Sequence, residues 1–146
     1  MAKTIYFIGN WKMNGNLSAN AQLLKAITAE WQGHHNADVV ICPPFPYLAH
    51  TANLLSGSEV MTGAQTVSEY EKGAYTGEVS AAMLADLDCK FVIIGHNERR
   101  RMQGETDEQV ARQFVAVQRA GLIPILCVGE SLQDREQGRQ LETISR

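Results

Sequence analysis

Five short apolar runs alternate with stretches of helical spacing, and this limits the 146-residue chain to few folds. The runs lie at residues 4–9 (TIYFIG), 38–42 (DVVIC), 60–64 (VMTGA), 91–95 (FVIIG) and 122–128 (LIPILCV). Each is nearly continuous in apolar character and bounded by Gly, Pro, Asn or Asp, which fits strands buried on both faces of a parallel sheet. Pro124 has no amide donor, so the fifth strand is expected to carry it near its start or on an exposed edge.

The intervening stretches read as helices. Residues 17–31 carry Leu17, Leu24 and Trp31 at seven-residue spacing, with Ile27 between. Residues 106–120 open with a Thr106/Gln109 capping box and with Asp107 and Glu108 in the first turn. Val110, Phe114 and Val117 then form one stripe, and Gly121 follows as a stop signal. Ser131 with Asp134 opens a further helix expected to run on towards Arg146, and weaker helices are expected over residues 45–55 and 80–86. Strand–helix alternation repeated five times means right-handed crossovers and a parallel sheet. A doubly wound open sheet and part of a (β/α)8 barrel both fit; a complete barrel needs about 250 residues. Periodicity does not choose between them.

Net charge is −3, so the chain has no basic footprint for nucleic acid or an anionic membrane, and an anionic substrate would need local positive groups. No apolar stretch reaches the length of a membrane span, and Met1-Ala2-Lys3-Thr4 lacks an apolar signal core, so the expected compartment is cytoplasmic. Cys42, Cys89 and Cys127 flank apolar runs without metal-ligand or CxxC spacing and are expected to be buried free thiols.

In either architecture, ligands bind beyond the carboxyl ends of the strands. Gly9-Asn10-Trp11-Lys12-Met13-Asn14-Gly15 follows the first strand, and Gly95-His96-Asn97-Glu98-Arg99-Arg100 the fourth. A lysine and a histidine leaving two strands at the same end can converge on a small anionic or carbonyl substrate. The plain alternatives are a solvated loop lysine and a histidine capping its own helix. There is no GxGxxG, GxxxxGK[ST], GxSxG or HExxH, and no metal site is expected. His34 and His35 fall in a polar loop and are expected to be solvated; His50 has no partner at ligand spacing. The run Arg99-Arg100-Arg101, with Glu78, Glu98 and Glu105 within reach, is expected to form salt bridges.

The string Gly9-Asn10-Trp11-Lys12-Met13-Asn14 resembles the first active-site loop of the triosephosphate isomerase family, and Ile93-Ile94-Gly95-His96-Asn97-Glu98-Arg99-Arg100 resembles its fourth-strand motif. Cys42-Pro43-Pro44, Gly63-Ala64-Gln65, Gly73-Ala74-Tyr75-Thr76-Gly77-Glu78 and Pro124-Ile125-Leu126-Cys127-Val128-Gly129-Glu130 are further matches, in register from residue 3 onwards. The resemblance implies an α/β fold, a partial (β/α)8 barrel of five parallel strands and five helices. It also implies interconversion of dihydroxyacetone phosphate and glyceraldehyde 3-phosphate through an enediolate, without cofactor or metal. By the same resemblance Asn10 and Lys12 bind substrate, with the Lys12 charge offsetting the phosphate and the enediolate. His96 is the electrophile, acting as a neutral imidazole, as established for this family. Glu98 corresponds to the glutamate that supports this side of the pocket. Gln65, Thr76 and Glu78 belong to a loop, residues 65–79, that projects into a partner subunit in the family, where the threonine braces the neighbour's first loop. A homo-oligomer is therefore expected.

Asn97 stands where the family usually has a serine that hydrogen-bonds the resting base, and Thr66 where it usually has asparagine. The family's catalytic glutamate, lid and phosphate loops belong to later βα units. Residues 1–146 are accordingly expected to be the N-terminal part of a single barrel domain, ending in the fifth helix, and to turn over substrate negligibly alone. Unpaired edges on the first and fifth strands would then call for a complementing C-terminal chain, self-association or rearranged packing. The competing readings are a non-catalytic folding or assembly fragment and a doubly wound phosphate-binding protein.

Overall fold

A computed structural model describes residues 4–33 and 36–145. The expectation for His34 and His35 lies outside the described residues. Five strands form one parallel sheet: β1 (Ile5–Asn10), β2 (Ala37–Cys42), β3 (Val60–Ala64), β4 (Phe91–Ile94) and β5 (Ile123–Leu126). Their order in the sheet is their order in the chain. A doubly wound sheet reverses direction partway and so places later strands on the far side of the first. Strictly sequential order, with crossovers of one hand, keeps the helices on one face and lets the sheet curl.

The curl is visible in one contact. Tyr6 on β1 and Phe91 on β4 meet edge-on with ring centroids 5.3 Å apart. Three flat strand spacings would separate them by about 14 Å. Only a curved sheet brings side chains of its first and fourth strands together.

Five helical regions follow the strands, one per unit, and two of them are split. The helices are α1 (Leu17–Glu30), α2 (Phe45–Leu55), α3 (Ala81–Asp86), α4 (Asn97–Met102), α5 (Asp107–Arg119), α6 (Leu132–Glu136) and α7 (Gln140–Ile144). The short α4 was not foreseen from periodicity, because Asn-Glu-Arg-Arg-Arg-Met offers no apolar stripe. The helix expected to run unbroken from residue 131 stops at Glu136 and restarts at Gln140, with Gly138 at φ +69° in the break. Ser131 and Thr106 do cap, accepting from the amides of Asp134 and Gln109.

Strand alternation sorts the core into two faces. Val92 and Ile94 of β4 point to the helix side and pack with Leu48, Leu84, Val110 and Val117. Phe91 and Ile93 point the other way and join Val40, Cys42, Met61 and Ile125 in a layer built from strand-side residues. Leu24 seals α1 against Ile41 and Val60, whereas Leu17, expected on the same stripe, is exposed at the helix start. Pro124 sits second in β5, opposite Val92, on the strand that ends the sheet. Cys42 and Cys89 are buried free thiols as expected, and Cys127 is half-buried.

The two edges contrast with this core. Ile5, Tyr6, Phe7 and Ile8 of β1 are all exposed, although successive residues of a strand face opposite sides. Ile123 and Leu126 of β5 are exposed as well. Among the described residues, β1 pairs with β2 alone and β5 with β4 alone.

Candidate active site

The parallel register sets which residues emerge together. Asn10 is opposite Cys42 at the ends of β1 and β2, and Gly95 follows Ile94, opposite Leu126, at the ends of β4 and β5. The segments after β1, β3 and β4 therefore open on the same end of the sheet.

After β1 the backbone turns sharply. Lys12 adopts φ +53°, a left-handed conformation that costs a non-glycine residue on the order of 1–3 kcal/mol. The Asn10 side chain accepts from the Lys12 amide at 2.9 Å, and the Trp11 amide donates to the Cys42 carbonyl at 3.1 Å. Gln65, one residue past β3, donates to the carbonyls of Lys12 at 3.0 Å and Cys42 at 2.8 Å.

After β4, Gly95 at φ +63° turns the chain into α4, and His96 caps that helix. The Arg100 guanidinium secures the turn by donating to the Gly95 carbonyl at 2.7 Å. The Glu98 amide donates to His96 Nδ1 at 3.2 Å. A ring nitrogen that accepts carries no proton, so this geometry places the proton of a neutral imidazole on Nε2. The Glu98 carboxylate is 3.7 Å from Nδ1, beyond hydrogen-bond reach.

Glu98 joins the two halves. Its Oε1 accepts from Lys12 Nζ at 2.5 Å while Oε2 faces His96. The Lys12 hydrogen bond and charge hold the Glu98 carboxyl below its ordinary range. The pair is half-exposed, with side-chain exposures of 51% and 46%, so it orients Lys12 more than it stabilises the fold.

Asn10, Lys12, Gln65, His96 and Glu98 are thus linked in one cluster at one end of the sheet. Lys12 is ion-paired rather than merely solvated. His96 does cap its own helix, and the cap itself leaves Nε2 to act as donor. Asn97 begins α4 and is exposed. Thr76 and Glu78 lie exposed in the loop 65–79. That loop is closed at its base by the Ser68 amide on the Val79 carbonyl at 2.8 Å and stiffened by the stacked rings of Tyr70 and Tyr75, 3.9 Å apart. Gln113 of α5 donates to the Val67 carbonyl at 3.0 Å, and Arg112 pairs with Glu69. Of the partners expected for the arginine run, Glu105 pairs with Arg99 at 2.5 Å, whereas Glu98 is bound by Lys12 and Arg100 pairs with Asp107 at 2.5 Å.

Sequence reasoning placed Gln65 with the interface loop and missed its bonds to Lys12. The only available signal was its position directly after the third strand, at the end where Lys12 emerges. Among the described residues no group of three His, Cys, Asp or Glu side chains is placed to hold a metal, and no helix is long and apolar enough to cross a membrane.

A family model described as triosephosphate isomerase matches residues 5–146. The chain is 49% identical over 144 residues to the triosephosphate isomerase of Nitrosococcus oceani, an alignment covering 99% of this chain and 58% of that protein. Its identity to the corresponding protein of Thiobacillus denitrificans is 54% over 138 residues, covering 94% and 54%. The crystal structure of triosephosphate isomerase from Bartonella henselae superposes with a TM-score of 0.91 at 36% identity, over 97% of this chain and 59% of that one. The chain therefore spans little more than half the length of the relatives it matches.

Proposed function

Because this chain belongs to the triosephosphate isomerase family and its strands form part of a (β/α)8 barrel, we propose that residues 1–146 carry the lysine-and-histidine side of a triose phosphate isomerisation site. In this reading the chain is the N-terminal part of one barrel domain. Its substrates are dihydroxyacetone phosphate and glyceraldehyde 3-phosphate.

Isomerisation moves a proton between adjacent carbons of the triose through an enediolate, so negative charge appears on a carbonyl oxygen in the transition state. His96 Nε2–H donates to that oxygen, and Lys12 sets a positive charge against both the enediolate and the phosphate. Asn10 holds the Lys12 backbone and binds substrate beside it. Glu98 keeps the ammonium and the imidazole on one side of the pocket. The arrangement needs a base to abstract the carbon-bound proton, which this reading assigns to a later βα unit. A general base contributes about 10²–10⁴-fold, so the 146 residues alone turn over little substrate.

Completion follows from the same reading. The exposed β1 and β5 edges accept further strands, supplied by a complementing C-terminal chain or by self-association. The loop carrying Gln65, Thr76 and Glu78 forms the contact of a homo-oligomer. The site operates in the cytoplasm.

What carries the proposal is the single carboxylate of Glu98 within 4 Å of both Lys12 Nζ and His96 Nδ1. The test is to mix the purified chain with a polypeptide spanning the sixth to eighth βα units of a family relative and assay isomerase activity. Activity is expected in the mixture alone, and Lys12→Met or His96→Gln is expected to abolish it. Demonstrated binding of the two polypeptides with no activity would overturn the reading.

A further inference from the structure

We propose that Arg100 is a positioning residue for His96, its guanidinium joining the turn from which the imidazole projects to the first residue of α5. The inference rests on the isomerisation site proposed above and names what holds that site's electrophile in place.

His96 stands between two peptide groups, and Arg100 binds both. Its backbone amide donates to the His96 carbonyl at 3.0 Å, the ordinary bond of a helical turn. Its side chain reaches back five positions, and Nε donates to the Gly95 carbonyl at 2.7 Å. That carbonyl belongs to the peptide that enters His96, so the backbone is clamped on either side of the residue. The ring is held by one further bond, the Glu98 amide on Nδ1 at 3.2 Å. With the backbone clamped and Nδ1 occupied, the direction of Nε2–H is set.

The clamp has its own anchor. Arg100 Nη1 donates to Asp107 Oδ1 at 2.5 Å, and Asp107 opens α5 directly after the Thr106 cap. Val110 and Val117 pack that helix into the core, so the far end of the guanidinium rests on a fixed element. A Cβ on Gly95 would come within 2.8 Å of Nη2, which shows how closely the arginine lies on the turn. Arg99 turns instead to Glu105, so members of the basic run are not interchangeable. A planar fork supplies both bonds from one rigid group. Lysine offers a point charge, and methionine a stem without donors.

The experiment reads the imidazole of the chain itself, without catalysis. Ring-nitrogen NMR at about pH 8, above the range where an ordinary imidazole takes up a proton, separates one tautomer from an exchanging mixture. In the wild-type chain His96 is expected to show one protonated and one bare nitrogen, with His96→Gln assigning the signals. Arg100→Met is expected to draw the two shifts together, as the turn loosens and the Glu98 bond to Nδ1 is lost for part of the time. Arg100→Lys, which keeps the charge, is expected to fall between methionine and wild type. Asp107→Asn weakens the anchor alone, and its smaller effect is expected to vanish in an Arg100→Met background. A merely structural role would lower the urea midpoint and leave the ring nitrogens as they are.

An unchanged His96 pattern in folded Arg100→Met and Arg100→Lys, or an Asp107→Asn effect that persists without the arginine, overturns the proposal. Should Arg100→Met not fold, Arg100→Lys and Asp107→Asn decide, and both must shift the His96 pattern. Failure of the mixing assay with the His96 response intact would remove the isomerisation reading and leave the role of Arg100 standing.

Discussion

Tyr6 and Phe91 lie three strand spacings apart in the sheet, yet their rings meet at 5.3 Å, because the sheet is rolled. Phe91 is buried and Tyr6 half-exposed, so one contact bridges a finished core and an open edge. Phe91→Ala is expected to cost about 3–5 kcal/mol, as for other large buried side chains. Tyr6→Ala is expected to cost about 1 kcal/mol, the scale of an aromatic pair on a partly wet face. Urea denaturation followed by circular dichroism measures both, and equal losses would contradict the rolled sheet.

Gly95 carries a second expectation. At φ +63°, a Cβ would sit 2.8 Å from Arg100 Nη2 and 2.9 Å from Val110 Cγ1. The arginine tip can move, but the valine is in the core. Gly95→Ala is expected to destabilise by about 2 kcal/mol, combining backbone strain with the clash. It should also disturb the His96 ring resonances, since Gly95 sets the turn into α4. A variant with wild-type stability would show that the turn tolerates a side chain.

The thiols should react in a fixed order. Burial pushes Cys42 up to about 12 and Cys89 up to about 11. Cys127 is also raised by burial, but it is less enclosed and the nearby Arg100 charge opposes the shift. At pH 8, timed iodoacetamide labelling read by peptide mass spectrometry should modify Cys127 first. Cys42 and Cys89 should label only once denaturant opens the core. Early labelling of Cys42 would contradict the packing around β2.

The lysine–glutamate pair predicts a pH dependence. The Lys12 hydrogen bond lowers the Glu98 carboxyl in the folded state. A lowered carboxyl favours folding above its unfolded value, about 4.3, and that contribution disappears as pH falls through the lower folded value. Raising the pH from 5 to 7 should therefore leave the pair intact. Acidifying through that lowered value should release Lys12, seen as a shift of its Nζ resonance. Because both groups are exposed, Glu98→Gln should leave stability nearly unchanged while still freeing the lysine.

Much of this was legible in the residues, and the misses have physical causes. The strand runs, the Thr106 cap and the Val110/Val117 stripe are local signals, and each appears where local chemistry places it. Sheet order is not local: the apolar runs fit two architectures, and only sequential pairing with the Tyr6–Phe91 contact separates them. Leu17 matched its stripe but stands at the first turn of α1, beyond the reach of β2 and β3. Gly138 breaks the last helix because a residue at φ +69° does not continue one, and the capping box at Ser131 gave no hint of its length. Lys12, His96 and Glu98 were singled out by motif, and the structure brings their side chains within contact. The bonds from Gln65 cross 53 and 23 positions, which no short-range pattern encodes.

The two open margins of the sheet share one polarity, since every neighbouring pair in it is parallel. Whatever continues that arrangement from β5 round to β1 must travel in the same N-to-C sense as both. Direction then acts as a sieve. A peptide and its reversed sequence have identical composition, yet only one can offer its side chains to these margins in the order the ladder demands.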